Sequence, residues 1–163
     1  MHDITFTPIG VIRSPFTQQH GTPIQPACAD GVAGSLELEP EYTAALMDLE
    51  GFERIWLVYH LDRAGPYRPM VVPYRDDKEH GVFATHSPAR PNAIGISVVR
   101  LTSIHGTRVD VEGLDVLDGT PLLDIKPYVP EFDAFAASRS GWLETARVKR
   151  MTADRRFERK EGS

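Results

Sequence analysis

Two stretches of the chain carry residue types that can do chemistry at spacings that would bring them together. In "PLLDIKPYV", residues 121–129, a strand turns Asp124, Lys126 and Tyr128 to one face and Leu123, Ile125 and Pro127 to the other. A carboxylate, an ammonium and a phenol in a row can accept, hold or donate a proton, and the same row also describes the solvent face of a half-buried strand. In "ATHSPARPNAIGISVVRL", residues 84–101, Pro88 and Pro91 hold φ near about −65° and push Ser87 and Arg90 out of the helical region. The connection is therefore stiff and extended, and it would present His86 and Arg90 to a ligand at little entropic cost. Asn92 can bond neighbouring backbone groups, and Gly95 permits close approach. Without the histidine and arginine, the cluster would describe a well-made turn between core strands.

The elements that must position these residues are mostly strands. "IGVIRS", "SLELE", "RIWLVYHLD", "GVFATH", "ISVVRLTSI", "TRVDVEGLDV" and "PLLDIKPYV" read as strands, and Asp-Gly in "LDGT" is a hairpin signal between the last two. "PEYTAALMDLEGF" reads as a helix, with Pro40 early, Tyr42, Leu46 and Leu49 on one face and Gly51 at the stop. Two long polar loops, "PFTQQHGTPIQPACADGVAG" and "RAGPYRPMVVPYRDDKEH", separate these elements, and loops of that length in a compact domain are often functional. Many short strands with tight turns and one helix favour an antiparallel sandwich or barrel. The expected organisation is one domain over residues 1–150 and a charged C-terminal tail over 151–163, where "DRRFERKEGS" has the composition of a frayed end.

Bulk properties limit the partners. A chain of 163 residues, 41% hydrophobic and 25% charged, is long enough to bury one core. Cys28 is the single cysteine, so no internal disulfide forms and no zinc or iron–sulfur spacing exists. The opening "MHDITFTPIG" lacks a basic and apolar leader, and no run reaches the roughly 18 apolar residues of a membrane span. A cytoplasmic protein with no membrane and no metal is expected. A formal charge of −5 argues against broad attraction to polyanions and leaves room for a local basic patch. G-x-G-x-x-G after a strand, the Walker loop, H-E-x-x-H and G-x-S-x-G are all missing, which removes the commonest nucleotide, metalloprotease and hydrolase readings.

"FTPIGVIRSPF", "GVFATHSPARPNAIGISVVRL" and "LDGTPLLDIKPYVP" resemble, in that order, the signature segments of the TsaA-like, or TrmO-type, S-adenosylmethionine-dependent tRNA methyltransferases. The resemblance runs from about Ile9 to Pro130. It implies a closed or nearly closed antiparallel β-barrel with one or two short helices, unlike the Rossmann type. It also implies a homodimer and methylation of N6 of N6-threonylcarbamoyladenosine beside the tRNA anticodon. Two departures stand out: His86 where the family has arginine, and Ala93 where it has proline.

Carried over by position, the resemblance places the methyl donor S-adenosyl-L-methionine against four segments. Pro26, Ala27 and Cys28 come from the first long loop, Asp62 and Arg63 from the end of the strand after "IWLVYHL". His86 and Ile96 flank the stiff loop, and Val116, Leu117, Asp118 and Gly119 form "VLDG". N6 of the implied acceptor lies beside a carbonyl that delocalises its lone pair, so losing its proton would help, and an aspartate, tyrosine or histidine can take it. Asp124 is the first candidate, with Lys126 and Tyr128 beside it. Arg13, Arg68, Arg75 and Arg90 are the candidate RNA contacts, with Tyr67 and Tyr74 suited to base stacking. A methyltransferase of the same fold acting on a small molecule, and a non-catalytic nucleotide-binding barrel, are the alternatives that the sequence leaves open.

Overall fold

Alternation of β-branched and polar residues at period two gives each strand one apolar face, and six such faces close on one another. The structure, a computed structural model, describes residues 2–146 and 148–158. In chain order the strands are β1 (Gly10–Arg13), β2 (Ala33–Leu38), β3 (Arg54–His60), β4 (Met70–Val71), β5 (His80–Gly81), β6 (Ile94–His105), β7 (Arg108–Glu112) and β8 (Thr120–Pro127). A closed antiparallel barrel runs β1-β2-β7-β6-β3-β8, while β4 and β5 form a separate small ribbon. Closure leaves the barrel no free edge. The inward residues, Ile12, Leu36, Ile55, Leu57, Val99, Val109, Leu114 and Leu122 among them, are almost wholly buried and fill the interior. The barrel expected from the strand pattern and the resemblance is present.

Three local expectations are corrected. The helix expected over 40–52 is two 3-10 helices, Pro40–Leu46 and Leu49–Gly51. Between them Asp48 has φ 65°, a left-handed conformation that cannot propagate a right-handed helix. Within "GVFATH", Val82–Ala84 is a 3-10 turn. The "LDGT" turn does not make a hairpin of β7 and β8, because β7 pairs with β2 and β6 whereas β8 pairs with β1 and β3. Gly119 does supply the turn, at φ 77°. The turn is held by β1 and the residues just after it: the Asp118 amide donates to the Phe16 carbonyl at 2.7 Å and the Gly119 amide to that of Ile12 at 2.8 Å. The turn thus crosses the mouth of the barrel, where a site can form.

The end of the described chain is packed where composition predicted a frayed tail. Thr152 bridges to Pro23, Glu158 bridges to Ala64, and Phe157, only 4% exposed, joins Val71, Val82 and Ala89 in a second small core. Asp154 organises this strap. Its carboxylate accepts from the Arg156 amide at 3.0 Å and from Arg156 Nε at 2.9 Å, and it pairs with Arg150. These donors hold the Asp154 carboxyl well down, at about 2. Arg156 in turn donates to the carbonyls of Val72 and Pro73 at 3.1 and 2.8 Å. The charges read as a sign of disorder are spent on one another and on backbone carbonyls. The last part of the expected tail, 159–163, lies outside the described residues.

Candidate functional site

The stiff loop of residues 85–92 is braced by its own polar groups. Thr85 Oγ1 donates to the Val82 carbonyl at 2.9 Å and accepts from the Ser87 amide at 3.2 Å, while Ser87 Oγ accepts from the Ala89 amide at 3.3 Å. Arg90 Nη1 donates to the carbonyls of Thr85 and Val82 at 2.7 and 3.0 Å. Arg90, a candidate RNA contact, braces the loop and also borders the cleft described next. His86 is different: it is exposed, and its Nδ1 lies 3.1 Å from Gln25 Oε1 across the gap to the first long loop.

That gap is a cleft of about 1010 Å³ at the barrel mouth. Tyr59, Gly95, Asp115 and Thr120 border it on the barrel side, Thr17 to Gln19 and Thr22 to Gln25 on one wall and Leu61 to Ala64 on another. Ala153, Arg155, Phe157 and Glu158 of the strap border it as well. Six residues expected to hold a donor line this one space: Asp62, Arg63, His86, Ile96, Val116 and Leu117. They come from the end of β3, the stiff loop, β6 and the segment after β7, so only folding brings them together. Arg63 ties two of these segments, its guanidinium donating to the Asp118 carbonyl. Asp118 turns away from the cleft, its Oδ1 accepting from the Ser14 amide at 3.2 Å, so that it and Gly119 shape the rim from behind. Pro26, Ala27 and Cys28 form a 3-10 turn just beyond Gln25; Gln25, and not these three, borders the cleft. Cys28 Sγ meets Met151 Sδ at 3.8 Å, where the strap begins.

Asp124, Lys126 and Tyr128 do share a face, as the strand pattern predicts, but that face is the outside of the barrel. Register explains it. Leu57 stands opposite Ile125 and Tyr59 opposite Leu122, both pairs inward, while Val58 opposite Asp124 and Trp56 opposite Lys126 point out; the irregularity between Val58 and Tyr59 leaves Leu123 as the extra residue. Asp124 pairs with Lys126 at 2.7 Å and Tyr128 packs against Trp56. None of the three lines the cleft. The RNA candidates do not converge either. Arg13 pairs with Glu37 at 2.8 Å, Arg68 borders a second hollow behind the strap, and Arg75 is exposed. Tyr74 is half-buried, its hydroxyl accepting from Gln19 at 2.8 Å and its ring edge-on to Phe157, whereas Tyr67 is exposed.

Sequence reasoning missed the polar groups at the barrel mouth. Ser97 is 1% exposed and lies inside the barrel, where its Oγ donates to Asp115 Oδ1 at 2.6 Å and stands 2.9 Å from Tyr59 Oη. Burial pushes the Asp115 carboxyl up to about 6, and burial beside that carboxylate raises the Tyr59 phenol above its usual range. One signal existed: in "GISVV", Ser97 stands at an inward position between Gly95 and Val99, and a polar side chain there demands a partner.

The cleft suits a ligand with apolar, cationic and polar parts. Leu61, Ile96, Val116 and Leu117 are apolar, Asp62 brings negative charge, and Arg63 and His86 bring donors. A sulfonium nucleoside carrying an amino-acid end has such a distribution, and the residues present fit it.

Comparison with known proteins gives consistent findings. A family model described as the tRNA-methyltransferase O N-terminal domain matches residues 11–134. A probable S-adenosyl-L-methionine-binding protein of Pyrococcus abyssi is 48% identical over 156 residues, which cover 94% of this chain and 85% of that protein. The tRNA (adenine(37)-N6)-methyltransferase of Escherichia coli is 37% identical over 161 residues, 93% of this chain and 68% of that enzyme. Among solved structures, a crystal structure of TrmO from Pseudomonas aeruginosa superposes with a TM-score of 0.72 at 42% identity, covering 86% of this chain and 62% of that one. The match spans only part of the length of such relatives.

Proposed function

Since the chain belongs to the tRNA-methyltransferase O N-terminal domain family, we propose that it is an S-adenosylmethionine-dependent methyltransferase acting on N6 of N6-threonylcarbamoyladenosine beside the tRNA anticodon. The observation that carries this reading is the convergence of Asp62, Arg63, His86, Ile96, Val116 and Leu117 on one cleft from four separated segments. When bound there, the sulfonium donor supplies an activated methyl group. The residues of the chain do the rest. Leu61, Ile96, Val116 and Leu117 exclude water, Asp62 accepts hydrogen bonds at the polar end, and the Arg63 link to the Asp118 carbonyl holds two walls at a fixed separation. The braced loop keeps His86 and Gln25 facing each other across the opening, so little order has to be acquired on binding. A cytoplasmic location is part of the same proposal.

The expected result is methyl transfer from S-adenosyl-L-methionine to tRNA that carries threonylcarbamoyladenosine, and none to tRNA that lacks it. Donor binding measured by calorimetry, with no transfer to either tRNA, would contradict the reading.

A homodimer is part of the same proposal. Outside the barrel, Val58 stands opposite Ile96 and Trp56 opposite Val98, and Ile94 and Ile96 are 42% and 53% exposed. This apolar strip continues into the cleft through Ile94 and Ile96, so a second copy seated on it would cover one open side of the site. Sedimentation should give a dimer for wild type and a monomer for Val98→Glu. A wild-type monomer at micromolar concentration would contradict it.

A further inference from the structure

The chain of Tyr59, Ser97 and Asp115 sits at the barrel mouth with no part in donor binding as described above. Its proton order can be counted. Ser97 gives its one hydroxyl proton to Asp115 Oδ1 at 2.6 Å, so the 2.9 Å contact with Tyr59 has Tyr59 donating to Ser97 Oγ. Oδ1 is thereby engaged and fixed in orientation. Among the described residues, no neighbouring side chain donates to Oδ2, and no unpartnered side-chain oxygen is sealed from the surface. Asp115 borders the cleft, its carboxylate also meets its own backbone amide, and Ser97 is the one side chain that donates to it among the described residues.

We propose that Asp115 is a catalytic residue, the acceptor of the proton that leaves the substrate nitrogen, with Ser97 and Tyr59 as its positioning residues. The proposal rests on the cleft being the methyl-transfer site. The acceptor nitrogen gives its proton to Oδ2 and its electron pair to the methyl carbon, whose bond to sulfur breaks with that pair staying on sulfur. A sulfonium cation, a neutral N–H and a carboxylate become a thioether, an N-methylated nitrogen and a carboxylic acid, so charge and atoms balance. Asp124 offers no such path, because its carboxylate is paired with Lys126 on the outer face.

A proton acceptor works best when its affinity for the proton lies near the working pH, and burial has moved Asp115 in that direction, to about 6. The other ionisable groups around the cleft are Asp62, Arg63, Tyr74, His86, Arg90, Arg155 and Glu158, and none of them pairs with Asp115. The sign for stability follows from a folded value above the ordinary carboxyl value. The favourable contribution is present below the unfolded value near about 4 and is lost as pH rises through about 6. Asp115→Asn, which keeps the acceptor for Ser97, should therefore melt higher than wild type at neutral pH, with the difference vanishing near about pH 4.

The test combines Asp115→Asn and Ser97→Ala with three readouts: donor affinity by calorimetry, single-turnover transfer to threonylcarbamoylated tRNA across about pH 5 to 8, and the Asp115 carboxyl titration by carbon-13 NMR. Asp115→Asn should slow transfer by roughly a hundredfold or more while donor affinity stays within about twofold. The wild-type rate should rise through about pH 6 and level off, and the Asn variant should lose that rise. Ser97→Ala should move the carboxyl titration upward and the rate profile with it. Transfer by Asp115→Asn at the wild-type rate would overturn the proposal, and so would a loss that lies wholly in donor affinity. A carboxyl titrating at its ordinary value would overturn it whatever the assay shows, whereas wild type that binds donor and transfers nothing would overturn the underlying reading.

Discussion

Gly95→Ala should abolish methyl transfer and cost the fold about 2–3 kcal/mol. A Cβ on Gly95 would lie 2.1 Å from Tyr59 Cε2 and 2.5 Å from Cζ, far inside contact distance. The ring has little room to retreat, since Tyr59 is buried in the barrel among Leu57, Leu122 and the other inward side chains. Displacing it breaks the bond to Ser97, and Ser97 is what orients Asp115. One methyl group therefore acts at three linked positions, which is why the effect on transfer should exceed the effect on stability. Urea unfolding and single-turnover kinetics on the same preparation measure both. Wild-type stability and rate in this variant would mean that Tyr59 is not held where the proton chain needs it.

The second large effect should come from ending the chain after Arg150. The barrel should persist by circular dichroism, because its six strands pair without the strap. The cleft should not. Ala153, Arg155, Phe157 and Glu158 are part of its border, Phe157 caps Val71, Val82 and Ala89, and Arg156 holds the Val72 and Pro73 carbonyls. Val82 also receives the Arg90 brace, so losing Phe157 loosens the stiff loop from behind. Donor affinity should fall by roughly tenfold or more, equivalent to about 1.4 kcal/mol. Phe157→Ala in the full chain should reproduce much of this loss through the emptied seat alone. Unchanged affinity in both variants would show that the strap is only a neighbour of the site.

The barrel was legible because inward and outward residues alternate so regularly in "RIWLVYHL", "ISVVRLTSI" and "TRVDVE". The 40–52 segment misled because its apolar spacing suits a helix, while the left-handed conformation at Asp48 is invisible in composition. Asp-Gly at 118–119 marks a turn correctly, but the identity of its partner strand depends on closure of the barrel, a long-range fact. Strand alternation placed Asp124, Lys126 and Tyr128 on a common face; deciding whether that face is inside or outside needed the registers with β1 and β3. The strap shows the converse, where a run of opposite charges reads as solvated tail until Asp154, Arg150 and Arg156 are seen to satisfy one another. Asp115 was hidden by its neighbours, since "VLDG" drew attention to the residues just after it.

The most direct measurement is nucleoside mass spectrometry of threonylcarbamoylated tRNA after incubation with the protein and S-adenosyl-L-methionine, set beside Asp115→Asn and Gly95→Ala. With wild type, threonylcarbamoyladenosine should be replaced by a nucleoside heavier by one CH2, with fragmentation placing the methyl group on N6, while both variants leave the original nucleoside in place. An unchanged nucleoside with wild type, under conditions where the donor is bound, would contradict assignment of this cleft to methyl transfer on tRNA.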